Sequence, residues 1–354
     1  MLLDDVLAAA VAASASDVYL LEGVPPTLKV DGVAEPLQGA PPIDPASMVA
    51  CLDRVLRERD RAVYAASGEA NVSYTHFELG RFRVNCYRAM GVSGIVLRRV
   101  KTEVPTIEAL ELPAILGSLA LERQGLVLVV GATGAGKSTT VAAMLDHRNS
   151  AVRGHVVTIE DPVEFIHAPK LSVMSQREVG IDTASYLEGL KNALRQAPDV
   201  IFVGELRDLE TVAVALHSAE TGHLVLSTLH ATNATTAIER LLNFFAPEIR
   251  AAMLLQLSLT LRAVIAQRLV PRAEGKGRVA AIEMMLVTPR VQALIRRGEL
   301  ESIRQAIEEG TNEGLQTFDQ ALLDLHRRAV ITQEDALRFA DSPNNLRLRL
   351  KGIR

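Results

Sequence analysis

The sequence predicts a two-part α/β protein in which a phosphate-binding loop opens the sheet of the second part. Three observations carry this reading. Residues 131–138 read Gly131-Ala132-Thr133-Gly134-Ala135-Gly136-Lys137-Ser138, a complete G-x-x-x-x-G-K-[ST] loop directly behind the apolar run 126–130. Further apolar runs follow at 156–159, 200–203, 224–229 and 279–287, with helical stretches between them. Near-continuous apolar strands alternating with helices imply a parallel sheet covered on both faces. Residues 1–100 lack that pattern: short strand-like runs broken by Gly and Pro describe a separate α+β unit. Two domains are also the default expectation for 354 residues.

The elements are expected in order. Residues 2–13 have helical character, and 18–21 and 27–30 read as strands separated by Gly23, Pro25 and Pro26. A Pro-rich loop over 36–45 leads into a charged helix through Arg61. Residues 71–77 and 81–87 read as paired strands around Gly80, and 94–100 as a last strand ending in Arg98-Arg99. This unit is placed at 1–100 and is followed by a linker at 101–113 with Pro105 and Pro113 as breakers. The core with the loop spans 114–288, and a helical region spans 289–354, with helices expected at 290–297, 302–309, 318–328 and 333–339.

Composition limits the function. The apolar content of 48% supports a sizeable core, and a net charge of −4 gives no basic field to recruit nucleic acid. Cys51 and Cys86 cannot form a four-thiolate zinc site and fit a reducing compartment. Asp4 and Asp5 stand where a signal peptide would carry basic residues, and no run reaches the length of a membrane span. A soluble, cytoplasmic chain is expected.

The loop specifies a ligand. Its small residues let backbone N–H groups face phosphate oxygens, Lys137 adds a cation at the β- and γ-phosphates, and Ser138 offers a hydroxyl to Mg²⁺. Thr139 completes the cradle on the helix that begins near Gly136. Binding alone is not turnover, which needs a metal partner, a group that orients water and a cation for developing charge. The stretch Asp199-Val-Ile-Phe-Val-Gly-Glu205 delivers a carboxylate at a strand end, and Glu205 is read as the Mg²⁺ partner, through water. Thr158-Ile-Glu-Asp-Pro-Val-Glu-Phe165 places three acids past another strand: Glu164 is read as the base, with Glu160 and Asp161 supporting Mg²⁺ or local geometry. His223 and His230 bracket a buried strand without zinc-type spacing, and a phosphate-sensing role competes with a structural one for each. Arg81, Arg83, Arg88, Arg98 and Arg99 crowd the end of the first unit, and an arginine finger is sought among Arg83, Arg98 and Arg99.

Together, the loop, the acidic box at 158–165, the strand ending in Gly204-Glu205 and the histidine box at 221–230 resemble the secretion ATPases of type IV pili and type II secretion. Ser16-Asp-Val-Tyr, Arg81-Phe-Arg-Val-Asn85, Gln176-Arg-Glu-Val-Gly180 and Arg207-Asp-Leu-Glu-Thr211 resemble its retraction branch, and Gly314-Leu-Gln-Thr-Phe-Asp-Gln-Ala321 and the tail at 340–349 resemble the PilU type within it. The segment Arg290-Val-Gln-Ala-Leu-Ile295 lacks the Arg-Asn pair of the PilT type. The resemblance implies a PAS-like α+β domain followed by a RecA-like P-loop ATPase domain, assembled as a homohexamer, with nucleotide between the two. It maps the Walker B acid to Glu205, the catalytic glutamate to Glu164, and the histidine box to His223 and His230. It further implies ATP and Mg²⁺ as ligands, a PilT-like ATPase and a PilC-like inner-membrane platform protein as partners, and a peripheral place at the inner membrane. The expected activity is ATP hydrolysis coupled to pilus retraction and twitching motility. Two alternatives stand beside it: a nucleotide-gated accessory subunit with weak hydrolysis of its own, and a nucleic-acid motor, which the 4% aromatic content disfavours.

Overall fold

The computed structural model describes residues 2–30, 32–100 and 103–352. It divides into two compact units, Met1–Thr102 and Glu103–Arg354.

The first unit runs α1 (Leu2–Ala12), β1 (Asp17–Leu21), β2 (Thr27–Val30), β3 (Val33–Pro36), α2 (Pro45–Val55), α3 (Glu58–Ser67), β4 (Glu69–His76), β5 (Gly80–Ala89) and β6 (Val92–Arg99). Its strands form one sheet in the order β3-β2-β1-β6-β5-β4, with antiparallel neighbours. Phe82, Val84 and Cys86 of β5 are buried in a core with Leu7, Leu20, Met48, Ile95 and Leu97. The two-residue period sends Arg81, Arg83 and Asn85 to the other face. One charged helix was expected up to Arg61, but the chain forms two. Leu56 takes an extended conformation and is buried, and the Arg61 side chain donates to the carbonyls of Leu56 and Asp53 at the end of α2. Strand β3 was not foreseen, because all four of its residues are exposed and leave no burial pattern.

The second unit runs α4 (Ile115–Ala120), β7 (Gly125–Val130), α5 (Lys137–Ala151), β8 (Gly154–Glu160), β9 (Ser172–Glu178), α6 (Tyr186–Ala193), β10 (Val200–Val203), α7 (Leu209–Glu220), β11 (Leu224–Leu229), α8 (Ala234–Asn243), α9 (Arg250–Thr260), β12 (Leu261–Pro271) and β13 (Arg278–Leu286). Five helices end it: α10 (Pro289–Arg297), α11 (Ile303–Glu309), α12 (Phe318–Arg327), α13 (Gln333–Phe339) and α14 (Pro343–Leu350). The sheet order is β13-β12-β7-β11-β10-β8-β9. Every pairing from β12 to β9 is parallel, whereas β12 and β13 form an antiparallel hairpin, so the sheet is mixed rather than wholly parallel.

Both faces are covered, as the continuous apolar strands require. Leu126, Leu128 and Val130 of β7 pack with Val212, Leu216, Ile238 and Leu257, while Val127 and Val129 pack with Leu116, Val141 and Met144. The stretch read as a linker behaves otherwise. Lys101 and Thr102 lie outside the described residues, but Ile107 and Leu112 are buried in the second unit's core. The C-terminal helices share that unit's main core through Ile295, Phe318, Leu322 and Leu346. Because β7, β8, β10 and β11 are parallel, their C-terminal ends open on one edge, which is where ligands bind in α/β sheets. The phosphate loop, Glu164, Glu205 and His230 all follow strands at that edge.

Glu283 on β13 is buried and accepts from the Ala234 N–H at 2.8 Å. Burial pushes its carboxyl up to about 7, against that N–H and the nearby Arg268 and Arg304; Asp341 adds to the rise. The folded chain therefore holds the proton more tightly than the unfolded chain between about pH 4.5 and 7, and stability falls as pH rises through that window. Glu283→Gln keeps an acceptor for Ala234 and removes the ionisation. The variant should gain about 1–3 kcal/mol over the parent above pH 7, with the gain vanishing below pH 4.5. Denaturant melts across this range check it.

Candidate nucleotide site

The loop between β7 and α5 is built for an anion. Gly131 and Gly136 sit at φ of 156° and 89°, where a side chain is strained. A Cβ on Gly131 would come within 2.7 Å of the Gln267 carbonyl oxygen, and one on Gly136 within 2.7 Å of Gln267 Nε2. Strand β12 thus backs the loop, and Thr140 on α5 locks it by donating to Gln267 Oε1 at 2.7 Å. Gly136 caps α5 without a side-chain bond, leaving the first-turn N–H groups for a ligand. Lys137 Nζ donates to the carbonyls of Gly131 at 2.9 Å and Ala132 at 3.0 Å. Burial lowers the Lys137 pKa, and the charges of Glu205 and Glu164 work against that.

A cleft of about 240 Å³ lies against this loop. Thr133, Gly134, Lys137 and Ser138 line it from the loop, Glu164 and Glu205 from the strand ends, and His230 from the end of β11. The structure therefore brings together the sequence's cradle, base, metal partner and one histidine. Glu205 accepts from Arg207 Nε at 2.8 Å and lies 3.4 Å from His230 Nε2. Thr139 faces a neighbouring cleft of about 350 Å³ on the far side of the loop, with Gly136, Leu110, Leu112, Leu269 and Arg278. Ala132 is exposed and Ala135 is buried beneath the loop.

The loop that carries Glu164 is held by the adjacent edge strand. The loop after β8, which contains a cis Asp161–Pro162 peptide, is tied down by β9. Gln176 donates to Phe165 O at 2.8 Å and to Glu160 Oε1 at 3.2 Å, and accepts from His167 N at 2.9 Å. Glu178 accepts from Val163 N at 3.2 Å. Glu160 lies beneath the loop, where burial raises its pKa; it accepts from Thr158 Oγ1 at 2.6 Å and from the Glu164 backbone. Of the two roles weighed for Glu160, this geometry supports the positioning one. His167 is buried along the same wall, and burial pulls its pKa down to about 4.

His223 is not part of this group. It precedes β11 and contacts Ser218 O at 3.1 Å through Nδ1, whereas His230 follows the same strand at its other end. Six strand residues separate the two by roughly 20 Å. Arg83 and Arg98 belong to the first unit, where they face each other in the β5–β6 register, and Arg98 Nε binds the buried Asp17 at 2.7 Å. Sequence reasoning gave no site role to Gln267, Tyr186, Thr140 or Gln176. Tyr186 and Thr140 are single residues without a motif, and Gln176 and Gln267 stand only within stretches that resemble the family.

A hydroxyl from Ser138 and a carboxylate from Glu205 on one cleft are the hard oxygen donors that Mg²⁺ takes, so the residues fit that ion.

A mainly parallel sheet with a phosphate loop after one strand and acids after two further parallel strands defines a P-loop nucleotide-binding protein. Residues 2–338 match the family described as type II/IV secretion system protein. The chain is 47% identical to the type IV pilus ATPase PilU of Pseudomonas aeruginosa, across 95% of this chain and 88% of that protein. It is 40% identical to the retraction ATPase PilT of the same organism, across 96% and 98%. The crystal structure of the pilus retraction motor PilT with bound ADP superimposes with a TM-score of 0.90 at 38% identity, covering 97% of this chain and 98% of that one. The chain belongs to the type II/IV secretion system protein family, on the branch that holds PilU and PilT.

If Gln176 positions Glu164, then Gln176→Leu should lower turnover by about 10- to 100-fold while nucleotide affinity stays within about threefold of the parent. Parallel measurement of steady-state hydrolysis and nucleotide binding checks this split.

Proposed function

We propose that the chain is an ATP-hydrolysing motor that powers or assists type IV pilus retraction in the manner of PilU, together with a PilT-like ATPase. The observation that carries the reading is the convergence of Lys137, Ser138, Glu164 and Glu205 on one cleft at the sheet's C-terminal edge. In this reading the loop N–H groups and Lys137 bind the β- and γ-phosphates. The base and ribose lie toward Thr139 and the apolar wall of Leu110, Leu112 and Leu269. Glu164 orients water and accepts its proton, while the β9 contacts keep its loop in place. Mg²⁺, held by Ser138 and Glu205, supplies charge neutralisation at the phosphates. Arg83 and Arg98 are proposed as cations that answer the charge developing in turnover.

The assembly proposed is a homohexamer acting on a PilC-like platform protein at the cytoplasmic side of the inner membrane. No helix among the described residues is long and apolar enough to cross a membrane. One observation favours a supporting rather than an independent role. At the PilT-type Arg-Asn position this chain has Gln292 and Ala293, and Gln292 spends its amide on Ser258 O at 2.8 Å, holding α10 to α9.

Lys137→Ala should weaken ATP binding by at least about 100-fold, and Glu164→Gln should keep ATP binding while reducing turnover by about 100-fold or more. Nucleotide titration and phosphate release measure the two. A Lys137 variant with parental affinity would remove the cradle assignment, and a Glu164 variant with parental turnover would move the base elsewhere.

A further inference from the structure

The motifs give Arg207 no chemical task, yet it stands among the charges of the cleft. Its Nε donates to Glu205 Oε2 at 2.8 Å, its NH1 lies 3.7 Å from Asp161 Oδ2, and its guanidinium carbon is 5.8 Å from the centre of the Tyr186 ring. The bond to Glu205 holds the guanidinium pKa above its ordinary value. The backbone beneath it is fixed on both sides. Leu206 is buried and its N–H bonds Thr228 O at 3.2 Å, and Asp208 caps α7 through the Thr211 N–H at 2.8 Å. The side chain is half-exposed and lines the same cleft as Lys137 and Ser138. A fixed pedestal with an exposed, planar cation allows a change of partner without movement of the chain.

The partner it holds is the carboxylate proposed to serve Mg²⁺. A guanidinium and a hydrated divalent cation compete for one carboxylate, because each neutralises the same charge. A guanidinium that loses its carboxylate in a partly buried cleft gains most from a multivalent anion that its fork can grip at two oxygens. Asp161 and the Tyr186 face keep it at the cleft mouth during the exchange.

We propose that Arg207 is an exchangeable phosphate ligand. It pairs with Glu205 and Asp161, gives up Glu205 when metal is bound there, and grips the terminal phosphate of the nucleotide. This rests on the nucleotide reading above and adds a residue that distinguishes the triphosphate from the diphosphate. No bond is made or broken in the exchange; only ion pairs change partners.

The test is nucleotide binding by the full chain, with a fluorescent non-hydrolysable ATP analogue and fluorescent ADP, titrated with and without Mg²⁺. In Arg207→Gln the Mg²⁺ concentration giving half-maximal binding should fall about threefold, because the competitor for Glu205 is gone. The preference for the ATP analogue over ADP in saturating Mg²⁺ should shrink about tenfold, because the terminal phosphate loses a charge-assisted contact. Arg207→Lys, which keeps the charge without the fork, should retain the parental Mg²⁺ midpoint and still lose part of the triphosphate preference; it carries the test if the glutamine variant does not fold. A parental ratio of analogue to ADP affinity in both variants, or a parental Mg²⁺ midpoint in a folded Arg207→Gln, overturns the proposal. Absence of binding by the parent chain itself would instead overturn the nucleotide reading.

Discussion

An ammonium group held by its own loop is the interaction around which the second unit is arranged. Lys137 donates to the carbonyls of Gly131 and Ala132, two residues whose oxygens the loop turns inward. Two neutral carbonyls are a poor match for this cation compared with charged phosphate oxygens. The loop geometry that holds the ammonium lets it exchange carbonyls for phosphates with little rearrangement. This state requires glycine at 131 and 136, since a Cβ at either position would run into Gln267.

Support for this loop comes from a strand that is not adjacent in sequence. Gln267 of β12 touches the loop's back and accepts from Thr140. The next residue, Arg268, stacks on Phe318 at 3.8 Å and bonds Phe339 O and Asp341. Two successive side chains, pointing to opposite faces, tie the phosphate loop and the C-terminal helices to one strand. On the other side β9 plays the same part for Glu164. The cleft is therefore gripped from both flanks by polar side chains of strands, and the loop that carries Glu164 is tied to one of them.

How much of this could be read from the sequence follows from the same facts. The buried strands β7, β8, β10 and β11 are continuous apolar runs, so they and the loop between β7 and α5 are plain in the sequence. Strands β9 and β12 are interrupted by Gln176, Arg177 and Glu178 and by Arg262, Gln267 and Arg268, and the polar residues that hide them include those that hold the site. Glu164, Glu205 and His230 were legible because each stands just past a strand end. His223 carries the same chemistry as His230, but a strand turns that spacing into opposite edges of the sheet. Residues 101–113 read as a linker from their prolines, although Ile107 and Leu112 are buried in the core. Arg207 is hidden differently: nothing in its spacing tells a solvated arginine from one that faces a carboxylate across a cleft.

The central claim is that the Gly131–Ser138 loop is a phosphate cradle whose cation exchanges backbone carbonyls for phosphate oxygens. The most direct measurement is a crystal structure of the full chain with Mg²⁺ and a non-hydrolysable ATP analogue. The account predicts phosphate density inside the loop, with Lys137 Nζ moved from the Gly131 and Ala132 carbonyls to phosphate oxygens and with Ser138 and Glu205 facing the metal. Nucleotide bound elsewhere, with Lys137 still on its two carbonyls, would contradict it.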